Sequence, residues 1–301
     1  DFHFFILDYI NRKFDFIIEY PIRAKLYHIT SNKKGSMNLS DRTVLLINTH
    51  HIASDGWSME IFQREFLAYY EAYLNDNLDF ELPPLDIQYK DYALWQKSYL
   101  TGDILKGQLN YWKEKLSGYQ TLELPTDRPR PNSVDYKGDH LSFAFNKKTS
   151  NKLRALVKDL GTTMHTVLLA ATNIALSKYT GQKDIVTGSP IANRHLGQTE
   201  GLIGFFANTQ VNRTLLDTSQ SYRELIQQVH QDQVAAQLNQ DVPFEKIVDE
   251  IDVERDTSKH PIFQVMFVIQ GFGKGTGEEE RQKQYFKALK ESIAFKVEKF
   301  D

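Results

Sequence analysis

The run Thr43-Val44-Leu45-Leu46-Ile47-Asn48-Thr49-His50-His51-Ile52-Ala53-Ser54-Asp55-Gly56-Trp57-Ser58 holds a strand, a sharp turn and the start of a helix. Residues 43–49 form a continuous β-rich apolar run, the pattern of a strand covered on both faces. From Trp57 onward, Phe62, Phe66, Tyr69, Tyr70 and Tyr73 recur at three- and four-residue spacings, the period of an amphipathic helix. Two histidines therefore sit where the strand ends. Consecutive strand residues face opposite sides, so His50 and His51 cannot share a face. Imidazole is the side chain best suited to move a proton near neutral pH, and a strand end is a rigid mount for it. The same residues also fit a packed, hydrogen-bonded core pair. Asp55 is placed to N-cap the following helix, and Gly56 to tolerate a turn that other residues resist.

Outward from this run, helix-like and strand-like stretches mix irregularly. Helices are predicted over 92–99, 105–116, 150–159, 163–179 and 222–238, and strands over 140–145, 185–190, 205–211 and 263–268. The helix over 163–179 is dense in Ala, Leu and Val, which predicts burial on most sides. Pro125, Pro129 and Pro131 fall within seven residues, exclude helix and favour a stiff connection. They mark the expected boundary between an N-terminal lobe over 1–125 and a C-terminal lobe over 126–301. Residues 271–280 read as an exposed loop, and 293–297 as a strand. No βαβ regularity is present, so the expected class is α+β with mixed sheets and flanking helices. The first ten residues are rich in Phe, Ile and Tyr without a polar lead-in, and the last follow directly on a strand-like run; both ends read as cut.

Composition narrows the function classes. The chain has 301 residues, enough for one large domain or two lobes, with 36 Lys plus Arg against 39 Asp plus Glu and a net charge of −3. Basic runs such as Lys147-Lys148 are not interleaved with aromatics, so no nucleic-acid surface is expected. There is no cysteine, which excludes disulfides, thiolate metal sites and a cysteine nucleophile. Adjacent strand histidines do not converge on one ion as histidines four apart on a helix do, so no metal site is expected. No apolar run reaches the roughly 18 residues needed to cross a bilayer, and the start lacks the order of a signal peptide. A soluble cytoplasmic protein without a membrane partner is expected.

The segment His50 to Gly56, with Trp57-Ser58 after it, resembles the HHxxxDG signature of the nonribosomal peptide synthetase condensation family, relatives of chloramphenicol acetyltransferase. Further segments resemble family signatures in the expected order. Phe14-Asp15 with Pro21-Ile22-Arg23-Ala24 precedes the histidines; Tyr89-Lys90-Asp91-Tyr92-Ala93-Leu94-Trp95-Gln96 is similar to the YxDYAxWQ block. Residues 122–131 are similar to the inter-lobe connection. Then come Gly188-Ser189-Pro190-Ile191-Ala192-Asn193-Arg194, Ile203-Gly204-Phe205-Phe206-Ala207-Asn208-Thr209, Gln240-Asp241-Val242-Pro243-Phe244-Glu245, and Arg255-Asp256 through Phe267. Residues 271–291 match weakly, and the family's first two signatures and its last have no counterpart here.

The resemblance implies a fold and a chemistry. Two chloramphenicol-acetyltransferase-like lobes form a V, with His51 projecting into a tunnel along their interface. Donor and acceptor thioesters arrive on the phosphopantetheine arms of upstream and downstream peptidyl carrier domains, beside an adenylation domain, and the domain itself needs no metal or bound cofactor. His51, Asp55 and Gly56 form the catalytic motif, with Asp55 chiefly structural and Arg194 its expected ion-pair partner, while His50 is assigned to packing. Trp57, Ser58, Phe206 and Asn208 are assigned to the substrate tunnel. The remaining histidines, His165 among them, are read as structural or surface. The form resembled most accepts an L-configured donor. Rival readings are an epimerization domain of the same superfamily, a catalytically silent recruitment module, and a freestanding acyltransferase using coenzyme A.

Overall fold

The computed structural model describes residues 2–29, 42–134, 137–253 and 256–269. Among them, two compact units form, one from Asp1–Lys90 with Arg194–Phe206 and the other from Asp91–Asn193 with Ala207–Gln270. These boundaries differ from the expected division at 125/126, and packing is the reason. Trp112 and Leu116 are buried in one cluster with Val186, Val211 and Phe263, which draws residues 91–125 into the second unit. The expected strand over 293–297 and loop over 271–280 lie outside the described residues.

In the first unit, α1 (Phe2–Asn11) precedes β1 (Ile22–Ile29), which pairs antiparallel with β2 (Arg42–Thr49) from Ile22↔Thr49 to Ile29↔Arg42. A 3₁₀ turn (His51–Ala53) then leads into α2 (Gly56–Leu74). The expectation that β2 is covered on both faces is corrected: Leu46 is buried, but Leu45 is 37% exposed. Among the described residues, β2 has a single strand neighbour. Helix α2 forms where the aromatic period predicts it, although its buried line is Ser58, Ile61, Leu67 and Ala72. Phe62, Phe66 and Tyr70 stack along another line, with ring centroids 6.2 and 6.3 Å apart at i,i+4 spacing.

In the second unit, α3 (Tyr89–Tyr99, whose first two residues belong to the first unit) and α4 (Gly102–Lys115) come first. The helix α5 (Lys147–Leu160), α6 (Met164–Thr180), β3 (Asp184–Ile191), β4 (Asn208–Leu215), α7 (Tyr222–Gln237) and α8 (Phe244–Glu250) follow. Caps written in the sequence set several of the helix ends. Asn146 accepts from Thr149 N and Thr163 from Thr166 N, Gly161 and Gly181 close their helices in the left-handed region, and Ser221 with Glu224 makes a capping box. Helix α6 is buried along a stripe, Thr166, Val167, Leu169, Ala170 and Asn173, while Tyr179 is 77% exposed, so burial on most sides is corrected.

Strands β3 and β4 pair antiparallel, from Asp184↔Leu215 to Ile191↔Asn208, and Gly188 bridges in parallel to Met266, which makes this sheet mixed. The strand expected over 263–268 is reduced to that bridge, held by Gly188 N to Val265 O at 2.9 Å and Phe267 N to Gly188 O at 2.8 Å. The strand expected over 205–211 begins only at Asn208 and runs to Leu215. Residues 140–145 are not a strand: Leu141 is 90% and Phe143 79% exposed, and alternation without a ladder partner does not make a sheet. One face of the β3–β4 sheet packs Val186 and Val211 into the apolar cluster. Its other face is polar, with Thr187, Ser189, Gln210, Asn212 and Thr214 buried, and Asn173 of α6 donating to Thr214 Oγ1 at 3.0 Å.

Gly188 shows how tightly the apolar face is filled. A Cβ there would lie 2.4 Å from Phe263 Cζ, and Phe263 is 2% exposed. Gly188→Ala is expected to cost about 1–3 kcal/mol by overpacking, seen as a lower urea midpoint. Phe263→Leu in the same chain should restore part of the loss; an unchanged midpoint in Gly188→Ala would show that this face is loosely packed.

Candidate functional site

Strand β2 stops at Thr49, and the two histidines enter the turn that follows. His50 N donates to Pro21 O at 2.8 Å, and its ring accepts from Ile52 N at 3.1 Å as the cap of the 3₁₀ turn. Phe14 and Phe16 meet the His50 ring edge-on at 5.7 and 4.8 Å. The His51 ring goes elsewhere: it is exposed, meets Phe205 edge-on at 5.1 Å, and its Nδ1 lies 2.6 Å from Ser54 O. The histidines do part company, but the mount for His51 is a 3₁₀ turn rather than the strand end. A carbonyl only accepts, so Nδ1 carries the proton and Nε2 of the neutral ring carries the lone pair.

Asp55 ends the turn and starts the helix. Its Oδ1 accepts from Ser58 N at 2.8 Å, from Ser58 Oγ at 2.7 Å and from Arg194 Nη2 at 3.1 Å; its Oδ2 accepts from Phe206 N at 3.0 Å. The Asp55 and Arg194 side chains are 4% and 1% exposed. Arg194 also donates from Nη1 to Thr199 O and, at 2.8 Å, to Leu202 O, and from Nη2 to Ser58 Oγ at 2.9 Å, while its guanidinium lies 4.0 Å above the Phe206 ring. A buried charge pair is tolerable only when most of its remaining donors and acceptors are occupied, and the neighbouring carbonyls, hydroxyl and amides take up both carboxylate oxygens and both Nη atoms.

Burial works to raise the Asp55 pKa, but hydrogen bonds from the Ser58 amide and hydroxyl, the Arg194 charge and the Phe206 amide outweigh it and hold the carboxyl below its ordinary value. A carboxyl depressed in the folded state stabilises above its unfolded pKa, about 3.9, and that stability is lost as pH falls through the folded value. Unfolding midpoints should therefore drop as pH is lowered below about 4, with a shallower acid slope in Asp55→Asn. Equal slopes in the two proteins would assign the acid sensitivity to other carboxylates, such as Asp217, Glu224 and Asp256, which are also held low by nearby serine donors.

The other expected site residues divide. Gly56 opens α2 and is exposed. Trp57 is half-buried, with Nε1 donating to Glu200 O at 2.9 Å. Ser58 and Phe206, expected to line the substrate tunnel, are both buried, at 0% and 2% exposure. The Ser58 hydroxyl lies 2.7 Å from Asp55 Oδ1 and 2.8 Å from Gly204 O, sharing its one proton between them, and accepts from Gly204 N at 3.0 Å. Asn208 belongs to the second unit. Its amide donates to Gln240 O and Val242 O at 3.0 and 2.8 Å and accepts from Phe244 N at 3.1 Å, pinning the entry to α8.

Sequence reasoning missed Tyr89 and Gly204 as members of this cluster. The Tyr89 hydroxyl donates to Phe205 O at 2.8 Å, and its ring lies against Gly204, where a Cβ would come within 2.1 Å of Tyr89 Cδ2. Both stand inside stretches that resemble family signatures, which was the available signal; their contact at long range was not. Burial, with the Asp55 charge adding to it and Arg194 opposing it, raises the Tyr89 pKa. His165 is part-buried in the second unit against Gln233 and Phe267, and burial lowers its pKa. Among the described residues no cluster of three or more His, Asp or Glu is arranged to hold a metal ion, and no helix is long and apolar enough to cross a membrane.

The architecture is an α+β domain in which a buried ion pair braces a histidine-bearing turn, and comparison with known proteins places it. The condensation domain family model matches residues 9–301. A linear gramicidin synthase polypeptide of Brevibacillus parabrevis is 44% identical over 261 residues, 86% of this chain and 5% of that protein. Bacitracin synthase 3 of Bacillus licheniformis is 42% identical over 233 residues, 77% of this chain and 4% of that protein, so the chain spans a small part of the length of these synthetases. The X-domain of teicoplanin biosynthesis, solved in complex with OxyB, is 27% identical with a TM-score of 0.78 over 88% of this chain and 57% of its own. The first condensation domain of the CDA synthetase, at 17% identity and a TM-score of 0.59 over 78% of this chain and 51% of its own, shares the fold, the chloramphenicol-acetyltransferase-like class. The chain belongs to the condensation domain family. Within that family it is of the nonribosomal peptide synthetase kind.

Proposed function

We propose that the chain forms an amide bond between a donor acyl or peptidyl thioester and the α-amine of an acceptor aminoacyl thioester, each carried on the phosphopantetheine arm of a partner carrier domain. The synthetases it resembles supply the context for the carriers and for an adjacent adenylation domain. The observation that carries the reading is the exposed His51 ring, whose Nδ1 is committed to Ser54 O at 2.6 Å and whose Nε2 is thereby the basic nitrogen.

The acceptor nitrogen attacks the donor carbonyl as Nε2 takes its proton; the tetrahedral intermediate collapses, expelling the donor arm's thiolate, which receives the proton. The lengthened chain stays on the acceptor arm. A free α-amine has a pKa near about 8, so part of it is already neutral, and Nε2 then contributes by accepting a hydrogen bond that aims the lone pair. Holding two tethered reactants in line contributes alongside. Asp55 and Arg194 do not touch the reacting atoms in this scheme; they hold the turn, with Gly56 keeping the backbone beside it free of a side chain.

A second reading, a recruitment module without catalysis, draws support from the similarity to the X-domain solved with OxyB. The test is to load both carriers of the full-length protein and read the acceptor carrier by intact mass. A dipeptidyl thioester is the expected species. Inversion of one carrier-bound residue without chain growth would indicate epimerization instead, and no change in either carrier would favour recruitment.

A further inference from the structure

Phe205 and Phe206 are neighbours whose rings have opposite surroundings. Phe206 is 2% exposed, between the edge-on Tyr89 ring at 5.0 Å and the Arg194 guanidinium at 4.0 Å. Phe205 is 42% exposed and stands edge-on to His51. The peptide joining them is gripped at both ends. Its carbonyl, Phe205 O, accepts from the Tyr89 hydroxyl at 2.8 Å, and its amide, Phe206 N, donates to Asp55 Oδ2 at 3.0 Å. A peptide unit is planar, so fixing both ends of the plane sets ψ of Phe205 and φ of Phe206, and with them where the two side chains point.

His51 needs such a wall. Its hydrogen bond to Ser54 O anchors one ring nitrogen and leaves the ring free to swing about that anchor; the Phe205 ring at 5.1 Å and 80° limits the swing. We propose that Tyr89 is a positioning residue for the amide-forming step, its hydroxyl orienting the Phe205–Phe206 peptide so that the Phe205 ring holds His51 with Nε2 toward the acceptor amine. The inference rests on the function proposed above. Asp55 grips the same peptide from the other side, so the buried ion pair and Tyr89 act on His51 through one shared plane.

Tyr89→Phe removes a single oxygen and leaves the ring in place over Gly204 and Phe206. In the full-length protein with both carriers loaded, it is expected to lower kcat about tenfold through misplacement of the imidazole, with KM for the acceptor carrier unchanged. Phe205→Leu should show the same split. If Tyr89 acts through Phe205, the double variant loses no more than Phe205→Leu alone, whereas a general loosening of the fold predicts losses that add. Parental kcat in either single variant, or additive losses in the double, overturns the proposal; should Tyr89→Phe fold poorly, parental kcat in Phe205→Leu still overturns it. His51→Ala in the same assay keeps the two levels apart. Undiminished product there removes the underlying reading, while abolished product there with parental Tyr89→Phe removes only the positioning role.

Discussion

His51→Ala is expected to reduce dipeptidyl thioester formation by about 10²–10⁴-fold, the range for losing a general base, while the unfolding midpoint stays close to that of the parent. The two halves of this expectation have separate causes. The ring is exposed, and its interactions are one local hydrogen bond to Ser54 O and an edge contact with Phe205, so its removal opens no cavity in a core. Nε2, in contrast, is the one atom of the turn placed by its tautomer to take a proton. The residual rate in the variant measures what tethering and alignment provide without it. A loss near the lower limit would mark His51 as chiefly an orienting group, and a steeper pH dependence in the parent than in the variant would mark it as a base. Equal product from both proteins would end its catalytic assignment.

Arg194→Ala is the substitution expected to damage the fold most, by about 3–5 kcal/mol, because it strands a buried carboxylate. Against a total stability of about 5–15 kcal/mol, that is enough to leave little folded protein. Arg194 serves Asp55, Ser58 Oγ, Thr199 O and Leu202 O together, so deleting it leaves several buried acceptors without their donor. Lysine is a poor substitute, since a point charge cannot match a planar fork reaching acceptors on separate sides. Asp55→Asn combined with Arg194→Met should be less harmful than Arg194→Ala, since no uncompensated charge remains. Denaturant midpoints with soluble yield provide the measurement, and a cost under about 1 kcal/mol, the scale of a surface ion pair, would show that water reaches this pair.

The Arg194 and His51 predictions also differ in how far the residues alone could have anticipated them. Asp55 as an N-cap is a local inference: a carboxylate ahead of a helix has one obvious amide to accept from, and Ser58 N is that amide. Arg194 as its partner rests on family resemblance, because the two stand 139 residues apart and no spacing rule connects them. The apolar run into His50 predicted a strand correctly and its environment wrongly, since coverage depends on which other segments arrive. Residues 140–145 alternate as a strand should and remain unpaired for the same reason. Ser58 and Phe206 read as lining residues through their place in the motifs; that they are buried against Gly204, Arg194 and Tyr89 was not legible there.

Local pattern was sufficient for α2 to α7, for Asp55 as the cap that begins α2, and for the turn that bears His51, since each depends on residues within a few positions of one another; it does not predict α1 or α8. Partner choice was not: the assignment of Arg194–Phe206 to the first unit, the grip on the Phe205–Phe206 peptide and the polar face of the β3–β4 sheet all follow from contacts across long stretches of chain. Periodicity states that a face must be covered and a buried charge matched, but the covering segment is selected by the free energy of the whole packed arrangement, which no short window of residues contains.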